Sequence, residues 1–221
     1  MKKLLTFLIL TLTISVFGQI EKKGNPTDFI PKGYVLFEKI LGDLNSDSIE
    51  DCVLIIKGTD TNKIITDKNR GILDRNRRGI IVLFNKGGQY DLVAKNYDCF
   101  SSENEDGGVY FVPELSVQIS KGNLYFHYGH GRYGYWKYTF RFQKSDFELI
   151  GYDANENRGP IINSETSINF STKIKQTKVN TNKNAESGEE VFKTATSKIK
   201  IDKLMRLSNI KDIDELEMYN Y

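Results

Sequence analysis

The chain has 221 residues, room for one domain of ordinary size or two small ones, and its 39% hydrophobic and 27% charged content fits neither a disordered chain nor a membrane bundle. With Lys2 and Lys3 set aside in an N-terminal stretch that holds no acid, the 31 Lys and Arg fall level with the 29 Asp and Glu. The basic surplus that would neutralise phosphates is missing, so no nucleic-acid partner is expected.

Residues 1–18 read as a secretory signal peptide. Met1, Lys2 and Lys3 precede an apolar run over residues 4–16, shorter than the ~20 residues that a membrane-spanning helix needs. Val16 and Gly18 put compact residues where a signal peptidase reads them, which sets cleavage before Gln19. No cysteine follows the run to carry a lipid, and no later segment is long and apolar enough to span. The mature chain is expected to be secreted or periplasmic, with no transmembrane anchor. Export bears on Cys52 and Cys99, because two cysteines of a small exported domain often pair. They are a candidate disulfide, and two free buried thiols are the alternative, since Cys52 opens an apolar strand.

A polar lead-in ends near Pro31, and the first predicted strand covers 34–40. Asp43, Asn45, Asp47 and Asp51 follow, side-chain oxygens at every second residue, with the Ile49 carbonyl available at the missing step. A tightly curled loop with this spacing points five groups at one centre. Hard oxygen ligands, three of them carboxylates, suit Ca²⁺, which takes six to eight oxygens at about 2.3–2.6 Å. Ser48 occupies the place where such loops use glycine for a left-handed backbone, which costs another residue about 1–2 kcal/mol.

Further strands are predicted at 52–57, 79–84, 90–94, 115–119, 123–128, 136–142 and 147–152, joined by short Gly, Asn and Asp turns. Trp136, Tyr138, Phe140 and Phe142 alternate with Lys137, Thr139, Arg141 and Gln143. The fold class read from this pattern is all-β or strongly β-rich, an antiparallel meander of blade-like or sandwiched sheets rather than a complete propeller. Two polar stretches interrupt it: 59–78, with Arg70, Arg75, Arg77 and Arg78, and the acidic 97–108. They are expected to be neighbouring loops of opposite charge. The β-rich domain is assigned to 19–158. Residues 159–221 are expected to add a hairpin, a polar mobile linker at 180–190, a stretch at 198–207 that suits strand or helix, and an acidic tail that frays, packed on the same domain.

Residues 125–138 carry the chain's two histidines, His127 and His130, among Tyr125, Tyr128, Arg132, Tyr133, Tyr135 and Trp136, with Gly129, Gly131 and Gly134 interspersed. Rings at a glycine-rich turn present flat faces for sugar stacking or partner contact, with Arg132 giving directional hydrogen bonds. Arg132, Tyr133 and Tyr135 are the candidate ligand-binding residues, the two tyrosines expected as exposed rings. Core packing is the expectation for the 136–142 face. No G-x-S-x-G, HExxH or P-loop occurs, and no third ligand joins the histidines for zinc.

Residues 42–55, with Asp43, Asn45, Asp47, Asp51, Cys52, Val53, Leu54 and Ile55, resemble the calcium loop and following strand of FG-GAP/VCBS-type repeats of integrin-like propeller blades. The next strands, 80–84 and 90–93, complete one blade-like sheet, so the resemblance covers about 33–93 in a single copy. It implies calcium held structurally by Asp43, Asn45, Asp47, Asp51 and the Ile49 carbonyl. Asn76, Arg77, Arg78, Gly79 and Ile80, residues 129–136, and residues 147–153 are similar to secreted Bacteroidota proteins, a likeness that carries over no activity.

The expected function is an exported non-catalytic β-domain with a structural calcium site, a binding or envelope-associated module for a protein or glycan ligand. Two alternatives stand beside it. One is a small exported hydrolase using His127 or His130 with an acid such as Asp106 or Asp153, which requires both histidines in one open pocket. The other is an inhibitor or immunity-type partner of a secreted enzyme.

Overall fold

The computed structural model describes residues 21–106 and 111–221. The signal peptide and its cleavage point lie outside the described residues. The described chain folds as β1 (Lys22–Lys23), β2 (Tyr34–Gly42), β3 (Asp51–Gly58), β4 (Ile64–Asp67), β5 (Gly71–Asp74), β6 (Arg78–Asn85) and β7 (Tyr90–Phe100). It continues through β8 (Glu114–Ser120), β9 (Asn123–Gly129), β10 (Gly134–Gln143), β11 (Asp146–Arg158), β12 (Ile161–Asn169), β13 (Ile174–Asn180) and β14 (Phe192–Lys198), with short 3-10 turns between some of them. The paired strands run antiparallel. One sheet has the order β1-β7-β6-β3-β2, a second β14-β13-β12-β11-β10-β9-β8, and β4 and β5 form a separate hairpin. The curved sheets make one half-barrel and do not close into a propeller.

Each predicted strand is present, and the alternation in β10 has the expected cause. Tyr138 and Phe140 are buried between the sheets, with Trp136 and Phe142 packed against them, while Arg141 is exposed. The runs 52–56 and 80–83 are apolar without alternation because β3 and β6 are covered on both faces. Val53, Ile55, Ile80 and Val82 face the second sheet, and Cys52, Leu54, Ile56, Ile81 and Leu83 face away from it, under Phe29.

This two-sided burial corrects the candidate disulfide. Cys52 belongs to the cluster under Phe29 and Cys99 to the core between the sheets, so the sheet itself separates two free, buried thiols. Burial pushes the Cys52 thiol up to about 11, and the Cys99 thiol is raised further for the same reason.

The C-terminal region also departs from expectation. Residues 199–206 form neither strand nor helix; one antiparallel bridge joins Arg206 to Glu148. The tail does not fray, because Leu207, Ile210, Ile213 and Met218 are buried in the main core. The Ile213 N–H donates to the Cys99 carbonyl at 2.9 Å, Ser101 N–H donates to Asp214 Oδ2 at 2.7 Å, and Arg77 pairs with Asp212 at 2.7 Å. Residues 181–191 join β13 to β14 through a hydrogen-bonded connection that buries Ala185. The core therefore draws on both sides of residue 158. Among the described residues no helix is long and apolar enough to cross a membrane.

Candidate functional site

The oxygen-rich loop connects β2 to β3, whose last pair is Gly42 with Asp51. Its side chains turn back on its own backbone, as short Asx side chains do. Asp43 Oδ1 accepts the N–H groups of Asn45 (3.2 Å) and Asp47 (3.3 Å), and Oδ2 accepts that of Ser48 at 2.9 Å. Asn45 Oδ1 takes the Asp47 N–H, and Asp47 Oδ1 takes the Ile49 N–H, each at 2.9 Å. Ser48 has the left-handed backbone anticipated for it, φ 66°, and Ser46 shares it at φ 61°. Asp51 is wholly buried, its two oxygens accepting the N–H groups of Leu44 and Asn85 at 2.9 Å.

Burial raises the Asp51 carboxyl above the ordinary range; the two N–H donors pull it down, and the Asp47 and Asp43 charges push it further up. Asp47 behaves oppositely. The Ile49 N–H holds its carboxyl low, helped by Asn45 and by the Lys86 ammonium at 3.3 Å. Lys86 is the one ion-pair partner of the three carboxylates among the described residues. The donor chemistry and the uncompensated negative charge fit a hard cation. No group of three or more His, Cys, Asp or Glu side chains among the described residues is gathered closely enough to hold a metal as it stands.

The aromatic segment divides between the faces of the second sheet. Tyr128 lies flat on Trp136, with centroids 5.2 Å apart and planes at 11°, and Tyr138 meets Tyr128 edge-on. On the opposite face His127 stacks on Tyr135 at 5.2 Å, and Lys137 sits over Tyr125 and 3.3 Å from Asp153. His130 packs against Tyr133 at 5.1 Å and edge-on to Trp136 at 6.4 Å. Tyr135 and Trp136 are consecutive in β10 and point to opposite faces, so the two histidines do not meet. The shared pocket required of a hydrolase using them is not formed, and Asp106 is engaged by Arg70 and Arg75 instead.

Beyond β9 the chain turns through Gly131–Tyr133 and enters β10 at Gly134. Gly134 has φ +109°, and a Cβ there would lie 2.1 Å from the Asn155 carbonyl oxygen, so only glycine fits. The Tyr135 N–H donates to Asn155 Oδ1 at 2.9 Å, which pins the turn to β11. Phe111, Glu114, His130, Arg132 and Tyr133 thereby surround an open recess of about 400 Å³. Phe111 is 94% exposed, Arg132 and Glu114 are exposed, and His130 Nε2 is buried without a hydrogen-bond partner among the described residues. The structure thus brings Arg132 and Tyr133 together and leaves Tyr135 on the outer face. Both tyrosine rings are half-buried, contrary to expectation, because neighbouring rings pack against them.

Two features were not anticipated. A larger groove of about 1030 Å³ runs along residues 201–216, and its buried carboxylate, Glu148, already meets Gln143 Nε2 at 2.6 Å and Lys144 and Arg206 at 3.7 Å each. Residues 59–78 do meet residues 97–106, and their contact reaches inward. Lys57, opposite Arg78 across β3 and β6, is buried with its ammonium on Glu103 and 3.0 Å from Asp74. Arg78 Nε donates to the Ser101 carbonyl at 2.8 Å. The exposed Arg70–Asp106 pair contributes little. The chain matches no family model, no curated protein and no solved structure.

Proposed function

We propose that this chain is an exported, non-catalytic β-domain that works as a binding or envelope-associated module, with an FG-GAP-like loop holding calcium in a structural role. The binding reading is carried by the recess beside the 130–133 turn, where Phe111 and Tyr133 supply ring surface and Arg132 a guanidinium within reach of solvent that makes no ion pair among the described residues. Such a mixture of apolar wall and a few polar groups suits orientation of a small ligand or one unit of a polymer. The calcium reading is supported by Asp51, a carboxylate buried beside two others with no cation of its own among the described residues. Asp43, Asn45, Asp47, Asp51 and the Ile49 carbonyl would hold the ion, which would supply positive charge and tie β2 to β3.

A screen of glycans and cell-wall fragments tests the binding reading. Reproducible binding by the mature protein that is lost on Arg132→Ala supports it, and cleavage of any fragment at enzymatic rates refutes the non-catalytic part. The inhibitor or immunity-type reading has one observation in its favour, the exposed apolar side chains Val35, Leu36, Phe37 and Leu41 on edge strand β2. Capture of a secreted enzyme from the envelope fraction, abolished by Phe37→Glu, would establish it.

A further inference from the structure

We infer that the recess lined by Phe111, Glu114, His130, Arg132 and Tyr133 takes a carboxylated sugar, a uronic acid unit of an acidic polysaccharide. The inference rests on the binding reading above and adds the ligand's chemistry. Among the described residues Arg132 makes no ion pair, and neither does Glu114, which β8–β9 pairing sets opposite Gly129 at the other edge of the recess. A guanidinium presents a planar fork of N–H donors that matches a carboxylate. A free carboxylate such as Glu114 accepts hydrogen bonds from donors and repels a second anion. A ligand suited to both carries one carboxylate and several hydroxyl groups.

The walls between them are rings. Phe111 is 94% exposed, and Tyr133 packs at 5.1 Å from His130. Flat rings of this kind match the C–H face of a pyranose. His130 Nε2, buried and without a partner among the described residues, adds a polar atom that a ring hydroxyl can satisfy. A neutral sugar leaves Arg132 unused, and an aromatic acid leaves Glu114 facing a ring with no donor. A sugar unit that carries a second anionic group is opposed by Glu114.

Trp136, the chain's one tryptophan, lies edge-on to His130 at 6.4 Å and reports on the recess. The experiment titrates the mature protein with tetragalacturonic acid and with its fully methyl-esterified form, read by Trp136 emission and by calorimetry. Saturable binding of the acid is expected, with the ester at least tenfold weaker, a factor that Arg132→Ala reproduces and Arg132→Lys partly restores. Equal binding of acid and ester overturns the carboxylate assignment and leaves the binding reading standing. Binding of the acid that survives both Arg132→Ala and Phe111→Ala overturns the site. No binding of the acid, while other glycans bind and Arg132→Ala abolishes it, overturns the ligand class alone; no glycan binding of any kind removes the parent reading with it.

Discussion

Replacing Ile213 by alanine takes about three carbon groups out of a wholly buried site, at ~0.8 kcal/mol each, so the transfer loss alone is about 2.4 kcal/mol. The cavity left behind adds to it, and isoleucine-to-alanine changes in cores cost about 2–5 kcal/mol overall. How far the site collapses decides the value within that range. The Ile213 N–H is held by the Cys99 carbonyl, and the residues on either side are held by Arg77 and by the Ser101 N–H. A segment tied by the Ile213 N–H and by the carboxylates of Asp212 and Asp214 resists sinking into the gap, so about 3–4 kcal/mol is expected. For a domain of this size that corresponds to a fall in melting temperature of about 6–16 °C. Tyr219→Ala, in the same segment but at a side chain 74% exposed, should change stability by less than about 0.5 kcal/mol. The assay is thermal melting of residues 19–221 by circular dichroism. An Ile213→Ala protein that melts within about 2 °C of the parent, several times less than the expected fall, would refute the docking of the C-terminal segment into the core.

Calcium at one hundred times its Kd should stabilise the fold by about 2.7 kcal/mol, a rise in melting temperature of about 5–10 °C, and Asp47→Ala should abolish the rise. Burial and the neighbouring carboxylates raise the Asp51 carboxyl, so without calcium its contribution to stability is lost as the pH rises through the native value. Calcium relieves that loss, and protons compete with it, so the calcium-induced rise should be smaller near pH 4.5 than near pH 7; equal rises count against Asp51 as a ligand. Both thiols should resist alkylation in the native protein. With burial lifting the Cys52 thiol from 9.0 to about 11, its thiolate at pH 7.5 is roughly 100-fold scarcer than that of a free cysteine, and rapid labelling without denaturant would contradict its burial. Gly134→Ala should destabilise the domain by more than ~3 kcal/mol, beyond the usual cost of overpacking, whereas Gly131→Ala meets no neighbouring atom and pays only for its positive φ. Equal melting of the two variants would mean that the Asn155 contact does not fix the turn.

Which features were legible follows from what each burial pattern does to a sequence. A strand with one dry face alternates, as β10 does, and a strand with two dry faces reads as an unbroken apolar run, as β3 and β6 do. The β4–β5 hairpin buries a single side chain, Leu73. Ile64 and Ile72 are exposed, Ile72 to 77%, so the 59–78 stretch lacks a period, and its only marker is Asp67 capping the N–H groups of Asn69 and Arg70 at 2.8 Å before Gly71. The C-terminal segment buries Leu207, Ile210 and Ile213, spaced by three, a period belonging to neither strand nor α-helix. The cysteines failed for a different reason. Which face Cys99 takes depends on register shifts between β6 and β7, at Arg78/Ile80 and Val82/Leu83, and a bulge moves every later side chain to the other face without leaving a mark in composition.

The recess was more legible than its parts suggest. Lys121 and Gly122 both have positive φ, 50° and 69°, the two-residue hairpin turn whose twist matches its strands. Such a turn fixes register by itself. Counting outward from it pairs Ser120 with Asn123, Val117 with Phe126 and finally Glu114 with Gly129, so an acid is delivered beside the glycine-rich turn by arithmetic alone. Phe111 lies beyond the last pair, where no register rule reaches, and its place in the recess depends on how the chain enters β8. The charged half of the ligand chemistry is therefore written in the hairpin, and the ring that completes it comes from tertiary structure.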